Sequence, residues 1–167
     1  MDSIFTRRSI RRYKDIKVEE EKIDKMLRAA MQAPSAMNQQ PWEFIVVENK
    51  EALKQLSKVH MYAGLIENAP LAVVICGNEN VMRAPEKWEQ DLGAATQNLL
   101  LAATQLELGS VWIGIAPVRE RMDYIKDMFN LPSNIKPYCV VAVGYPAEGH
   151  NNKFVDRYDE DKVHYVK

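Results

Sequence analysis

The sequence predicts a layered α/β domain, a sheet covered by helices, and three observations carry that expectation. Helical and strand patterns alternate along the chain, as they do in layered architectures. The run Leu71-Ala72-Val73-Val74-Ile75-Cys76 is apolar at every position and of strand length, which suits a strand buried on both faces. The 167 residues are 47% hydrophobic, enough for one ordinary domain with a sizeable core, and no linker divides them. The pattern leaves open whether the sheet is parallel or mixed.

The elements follow in order. Val18 to Ala33 reads as an amphipathic helix: Ile23, Met26, Leu27, Ala30 and Met31 recur at helical spacing, and Glu19, Glu20 and Glu21 sit at the positive end of the dipole. Pro34 and Ser35 stop it. Trp42 to Val47 reads as a strand, about Lys50 to Val59 as a short helix, and Leu71 to Cys76 as the buried strand. Glu86 to Leu108 is the longest helical pattern. Its middle, Leu92 to Ala103, is small or apolar nearly all round, which implies that a second subunit supplies part of its cover. Ser110 to Ile115 and Tyr138 to Tyr145 read as strands, separated by a helix from about Arg119 to Phe129. From Asn151 onward the chain is polar and aromatic with no core face, and there is no internal repeat.

Composition removes several function classes. With 22 Lys+Arg against 23 Asp+Glu, the chain is close to neutral, which argues against coating nucleic acid or an anionic membrane. Cys76 and Cys139 stand far apart inside apolar runs, with neither disulfide nor metal-ligand spacing, as in a reducing compartment. No apolar stretch approaches membrane-helix length, and the first residues lack a secretory h-region, so a cytoplasmic location is expected. There is no G-x-G-x-x-G after a strand, no P-loop and no G-x-S-x-G elbow, and His60, His150 and His164 are scattered.

Three segments stand out. Arg7-Arg8-Ser9-Ile10-Arg11-Arg12-Tyr13-Lys14 places five cations in eight positions. As an isolated cluster it reads first as a solvated basic arm, and as a site where arginine forks and a serine hydroxyl capture phosphate or carboxylate only with support nearby. Pro34-Ser35-Ala36-Met37-Asn38-Gln39-Gln40-Pro41-Trp42 is a loop whose hydroxyl and amides could read a heteroaromatic edge, or simply cap and turn the chain. Gly109-Ser110-Val111-Trp112-Ile113-Gly114 is a strand ending in Gly, which permits close approach of a flat ligand or marks a bend.

Taken in this order, the three segments resemble the nitroreductase family of FMN-dependent oxidoreductases. The R-R-S-I-R-R-Y start, the P-S-x-x-N-x-Q-P-W segment, Gln97 to Ala103 on a long helix, the Gly109-to-Gly114 strand, and the ending with Asp156-Arg157-Tyr158 and Val163-His164-Tyr165 carry the resemblance. It extends from about Ser3 to the end of the chain. It implies an α+β fold with a mixed central sheet flanked by helices, a single domain over residues 1–167, and an intimate homodimer with two FMN sites at the interface. The segment from about 150 to 167 would be an arm packing on the partner subunit. By the resemblance, Arg7, Arg8, Ser9 and Arg11 contact the FMN phosphate and pyrimidine. Pro34, Ser35, Asn38 and Gln40 reach the flavin from the other subunit, Ile113 and Gly114 lay their backbone against the ring, and Arg157 with Lys153 clamps the phosphate. Ala36 stands where many members carry a second Ser, and the asparagine that larger members have before the next strand has no clear match.

The resemblance further implies that no side chain is catalytic in itself: the flavin carries the chemistry and the protein sets orientation and electrostatics. NADH or NADPH would donate hydride and an electron-poor small aromatic acceptor such as a nitroaromatic or a quinone would receive it, in ping-pong order. Arg11 would stabilise the negative charge of reduced flavin. Trp88 and Tyr62 are either walls of the acceptor pocket or plain core aromatics. The competing readings are another flavin chemistry on the same fold (reductive dehalogenation or dehydrogenation), a non-catalytic flavin-binding protein, and a nucleic-acid module using the basic arm. No inserted lid of the kind dehalogenating relatives use is evident.

Overall fold

The computed structural model describes residues 2–167. Five helices, α1 (Asp2–Thr6), α2 (Glu20–Met31), α3 (Lys50–Leu56), α4 (Trp88–Gln105) and α5 (Arg119–Phe129), combine with four strands, β1 (Trp42–Val47), β2 (Leu71–Asn78), β3 (Gly109–Gly114) and β4 (Ile135–Gly144). The sheet order is β1-β2-β4-β3. All three strand pairings are antiparallel, so the expected mixed sheet gives way to an antiparallel one. The reason lies in the connection through α4. The strands before and after it, β2 and β3, do run in the same direction, but β4 inserts between them, so the parallel pair never meets. The parallel pairing among the described residues is a single bridge, Ser9 to Ser110, on the outer edge of β3.

Alternation along the central strands divides the core in two. Leu71, Val73 and Ile75 of β2, with Cys139, Val141 and Val143 of β4, pack beneath α2 and α4. The intervening Ala72, Val74 and Cys76, with Val140 and Ala142, pack on the opposite face with residues of α3, α5 and the 3-10 turn Gly64–Asn68. Both faces of the sheet are therefore buried, as the uninterrupted apolar run of β2 demands. The register between β2 and β4 shifts at Ile75/Cys76, opposite Pro137, and a proline without an N–H in a central strand is tolerated at such an irregularity.

Helix α2 buries Ile23, Met26 and Ala30 and ends at Met31, three residues before Pro34 breaks the pattern. The long α4 buries Leu92, Ala95, Thr96, Leu99, Leu100 and Ala103, and α1, α2 and the sheet supply that cover within one chain. Trp88 is half-buried in a chain of edge-to-face rings, 5.8 Å from Tyr138, which stands 5.6 Å from Trp112. Tyr62 is exposed. Beyond β4, residues 150–167 hold a single 3-10 turn, Glu160–Lys162, and expose Phe154, Tyr158 and Tyr165. None of the described helices is long and apolar enough to cross a membrane.

Candidate functional site

The basic arm is folded onto the edge of the sheet. Ile10 donates its N–H to Ser110 O at 2.9 Å and is buried against Gly109. The fit is tight enough that a Cβ at Gly109 would lie 2.7 Å from Ile10 Cβ. Further along, Tyr13 donates its hydroxyl to Ile10 O at 2.6 Å, and Lys14 N–H reaches Tyr145 O at 2.8 Å. The arm is also tied to the end of the chain. Asn152 accepts from the Arg8 N–H at 3.0 Å and donates to Leu108 O at 3.0 Å, while the Arg8 guanidinium donates to the carbonyls of Phe5 and Val155.

These contacts bring Arg7, Arg8 and Arg157 together. Burial, then the neighbouring charges of Arg8 and Arg157, hold the Arg7 guanidinium below its ordinary pKa. No ion pair among the described residues involves Arg7, Arg8, Arg11, Lys153 or Arg157. Arg8 Nε and Ser110 Oγ are buried without a hydrogen-bond partner. Like charges brought together with no carboxylate between them, beside unmet donors, make a site for an external anion. Ser9 and Arg11 lie on the exposed side of the arm, with Arg11 donating to Ser9 O at 3.3 Å, and Lys153 is exposed.

The loop after α2 is built around a residue that pattern reading passes over. Gln39 is buried, and its carboxamide is fully engaged. Nε2 donates to Asp91 Oδ2 at 2.6 Å and Ala84 O at 3.2 Å, while Oε1 accepts from the N–H groups of Arg83 and Ala84 at 2.8 and 2.9 Å. Asp91, itself buried in the first turn of α4, also accepts from Ala36 N–H at 2.9 Å. With Gln39 pointing inward, its neighbours point outward. Met37, Asn38 and Gln40 adopt positive φ of 52°, 51° and 46°, a backbone that non-glycine residues hold only under constraint. Ser35 Oγ accepts from Gln40 N–H at 3.0 Å, and Gln40 Nε2 donates to Asn38 Oδ1 at 2.8 Å, presenting an amide pair to the outside. Pro34 is exposed.

At the end of β3, the Ile113 side chain is core, so only its backbone is available, and Gly114 is exposed with nothing within 4 Å of the place a Cβ would occupy. Arg121, from the first turn of α5, donates to Gly114 O at 3.0 Å. The structure thus joins the arm, β3 and the C-terminal segment, and places the Pro34-to-Gln40 loop elsewhere. The loop is anchored at Asp91, the arm at Leu108 beyond the other end of α4. From Asp91 to Gln105 alone the helix axis runs about 21 Å. A surface cleft of about 630 Å³, lined in part by Tyr13, Lys17, Glu48 and Asn68, contains none of the predicted residues. Of the supporting residues, Asp91 had a faint signal, a carboxylate directly before the small and apolar run from Leu92 to Ala103; Gln39, Asn152 and Arg121 had none.

Comparison with known proteins gives one family. The model of the nitroreductase family matches residues 4–85 and 57–145. A protein of Methanothermobacter thermautotrophicus, provisionally assigned as an NADH dehydrogenase/NAD(P)H nitroreductase, is 43% identical over 167 residues, covering 100% of this chain and 86% of that protein. The crystal structure of a provisionally assigned NADH oxidase from Clostridium acetobutylicum is 56% identical, with a TM-score of 0.97 and 99% of both chains covered. An FMN-dependent nitroreductase from Clostridium difficile is 35% identical, with a TM-score of 0.90, covering 99% of this chain and 98% of that one.

Proposed function

The chain belongs to the nitroreductase family, and on that premise we propose that it is an FMN-dependent oxidoreductase that uses NAD(P)H to reduce electron-poor acceptors such as nitroaromatics or quinones. The observation that carries the reading is the unneutralised cluster of Arg7, Arg8 and Arg157. It suits a mononucleotide phosphate, and the chain lacks the glycine fingerprint of a dinucleotide site. The open space beside Gly114 suits a flat ring against the backbone. The residues present therefore fit FMN.

When bound, FMN supplies the hydride acceptor and two-electron donor of a ping-pong cycle. The chain's own residues bind and orient. Arg7, Arg8 and Arg157, with Ser9 and Lys153 beside them, would neutralise the phosphate through charge-assisted bonds. Arg11 keeps one guanidinium nitrogen on the arm's own backbone and offers the rest of its fork to a polar ring edge, where its fixed charge would favour added negative charge. The peptide of Ile113 and Gly114, tethered by Arg121, gives a rigid surface for the ring.

A homodimer completes the reading. Arm and loop flank opposite ends of α4, which supports a site made by the arm of one subunit and Pro34, Ser35, Asn38 and Gln40 of its partner. The exposed aromatics of residues 150–167, within what we read as a single domain, supply the apolar surface such a partner would cover. The close charge balance and the absence of a membrane-length helix among the described residues fit a cytoplasmic enzyme acting on small molecules. The test is direct: the purified protein should be yellow, heat should release FMN, and NADH or NADPH should bleach it anaerobically. Release of FAD alone, or of no flavin, overturns the assignment.

A further inference from the structure

We propose that the cleft between the end of α3 and the start of α5 is an anion subsite, in which His60 Nε2–H and the Arg121 guanidinium grip an oxyanion group of a small ligand lying beside Gly114. The cleft holds about 550 Å³ and is lined by, among others, Lys58, His60, Glu120 and Arg121.

Its chemistry follows from the histidine. His60 Nδ1 accepts from the Tyr62 N–H at 3.1 Å, so a neutral ring carries its proton on Nε2. That nitrogen is buried and has no partner among the described residues. Burial, then the charge of Arg121, holds the His60 pKa below its ordinary value, which keeps the ring neutral and this tautomer in place near pH 7. A buried N–H donor without an acceptor is a costly arrangement that a ligand acceptor relieves.

The surroundings select the kind of acceptor. Arg121 uses Nη1 on Gly114 O and keeps the remaining N–H groups of its fork for other partners. Neither Arg121 nor Lys58 takes part in an ion pair among the described residues, and Glu120 is the single acid of the lining. The converging groups are thus mostly donors, with a net positive charge. They match an acceptor-only group: the carboxylate of an aromatic acid serving as electron acceptor, or a phosphate of the nucleotide donor. That the ligand lies beside a flavin rests on the function proposed above; the subsite itself does not.

The test titrates the FMN-loaded protein with benzoate and with its neutral isostere benzamide, by calorimetry and by the flavin difference spectrum. Benzoate should bind clearly tighter than benzamide. Arg121→Met and His60→Phe should each weaken it by about tenfold to a hundredfold, the effect of one charge-assisted hydrogen bond. His60→Gln, which keeps an N–H donor, should recover most of the affinity, whereas a purely structural role for the ring predicts no such recovery. In His60→Phe and His60→Gln, FMN content and bleaching by NADH should stay at parental values. If the anion recognised is the 2′-phosphate of NADPH, benzoate will not compete and the same variants will instead lose any preference for NADPH over NADH. Unchanged benzoate affinity together with unchanged NADPH preference overturns the subsite. A protein that binds benzoate with this dependence but carries no FMN keeps the subsite and overturns the flavin reading.

Discussion

Arg7 sits among like charges, so its value is realised when an anion arrives. Replacing it with Ala should raise the FMN dissociation constant by about one to two decades, the equivalent of roughly 1.5–3 kcal/mol for a charge-assisted bond. Fluorescence titration of the apoprotein measures this, and an unchanged constant would return Arg7 to the role of a solvated arm. At the other end of α4, Asp91→Ala removes two acceptors, one from Ala36 N–H and one from the buried Gln39 amide. The loss should cost about 1–3 kcal/mol and lower the melting temperature by roughly 3–10 °C. A melting curve identical to the parent's would mean that solvent replaces the carboxylate without cost. These two sites differ in legibility. Five cations in eight positions attract attention in any sequence. Gln39 is flanked by Asn38 and Gln40, and only its inward rotamer, fixed by a partner 52 positions away, separates it from them.

Elements whose pattern arises from their own residues were readable, and those shaped by distant neighbours were not. The strand Trp42–Val47 and the helix Arg119–Phe129 fall where periodicity places them. β4 begins earlier than its apolar run, at Ile135, because the register shift opposite Pro137 lets a proline stay in a central strand. α1 is a five-residue helix without a buried residue, too short to imprint a period. The arm's docking onto β3 depends on the space above Gly109, which gives a prediction at this scale. Gly109→Ala should push Ile10 away, destabilise the protein by about 1–3 kcal/mol, and loosen FMN in parallel. Stability lost with FMN affinity intact would uncouple the arm from the site. The central strands also carry both thiols. Burial pushes the Cys76 thiol up to about 12 and raises that of Cys139 as well. A thiol kept neutral by folding contributes fully below its ordinary value of 9.0 and loses that contribution as pH rises toward 12. A chromogenic thiol reagent at neutral pH should therefore find no fast-reacting cysteine in the native protein and two after denaturation; one rapid thiol in the native state would contradict the burial.

For the whole molecule, the decisive prediction concerns mixed dimers. One chain carries Arg7→Ala and Arg11→Ala, the other Asn38→Ala and Gln40→Ala. If arm and loop of different subunits build each site, the heterodimer gathers every defect into one site and leaves the other native, so flavin binding and turnover return at about half occupancy. Purified heterodimers as inactive as either parent would show that each chain builds its own site. The small and apolar run from Leu92 to Ala103 raised the expectation of a partner, although much of its cover comes from α1, α2 and the sheet of the same chain. Which segments a partner would complete came from the family resemblance and not from the pattern, because that depends on the distance between two loops and no periodicity encodes it.

That distance has a consequence for how such a chain can vary. If the site is shared, helix α4 is the gauge that spaces its two halves, and its 18 residues fix both their separation and their relative rotation. A substitution on its surface alters neither. A single inserted residue, however, would turn everything beyond it by about 100° and advance it by about 1.5 Å. Either the Asp91 anchor or the Leu108 anchor would then lose its partners, and a symmetric dimer would incur the misfit twice. Length, rather than side-chain identity, is the property of this helix that is least free to change.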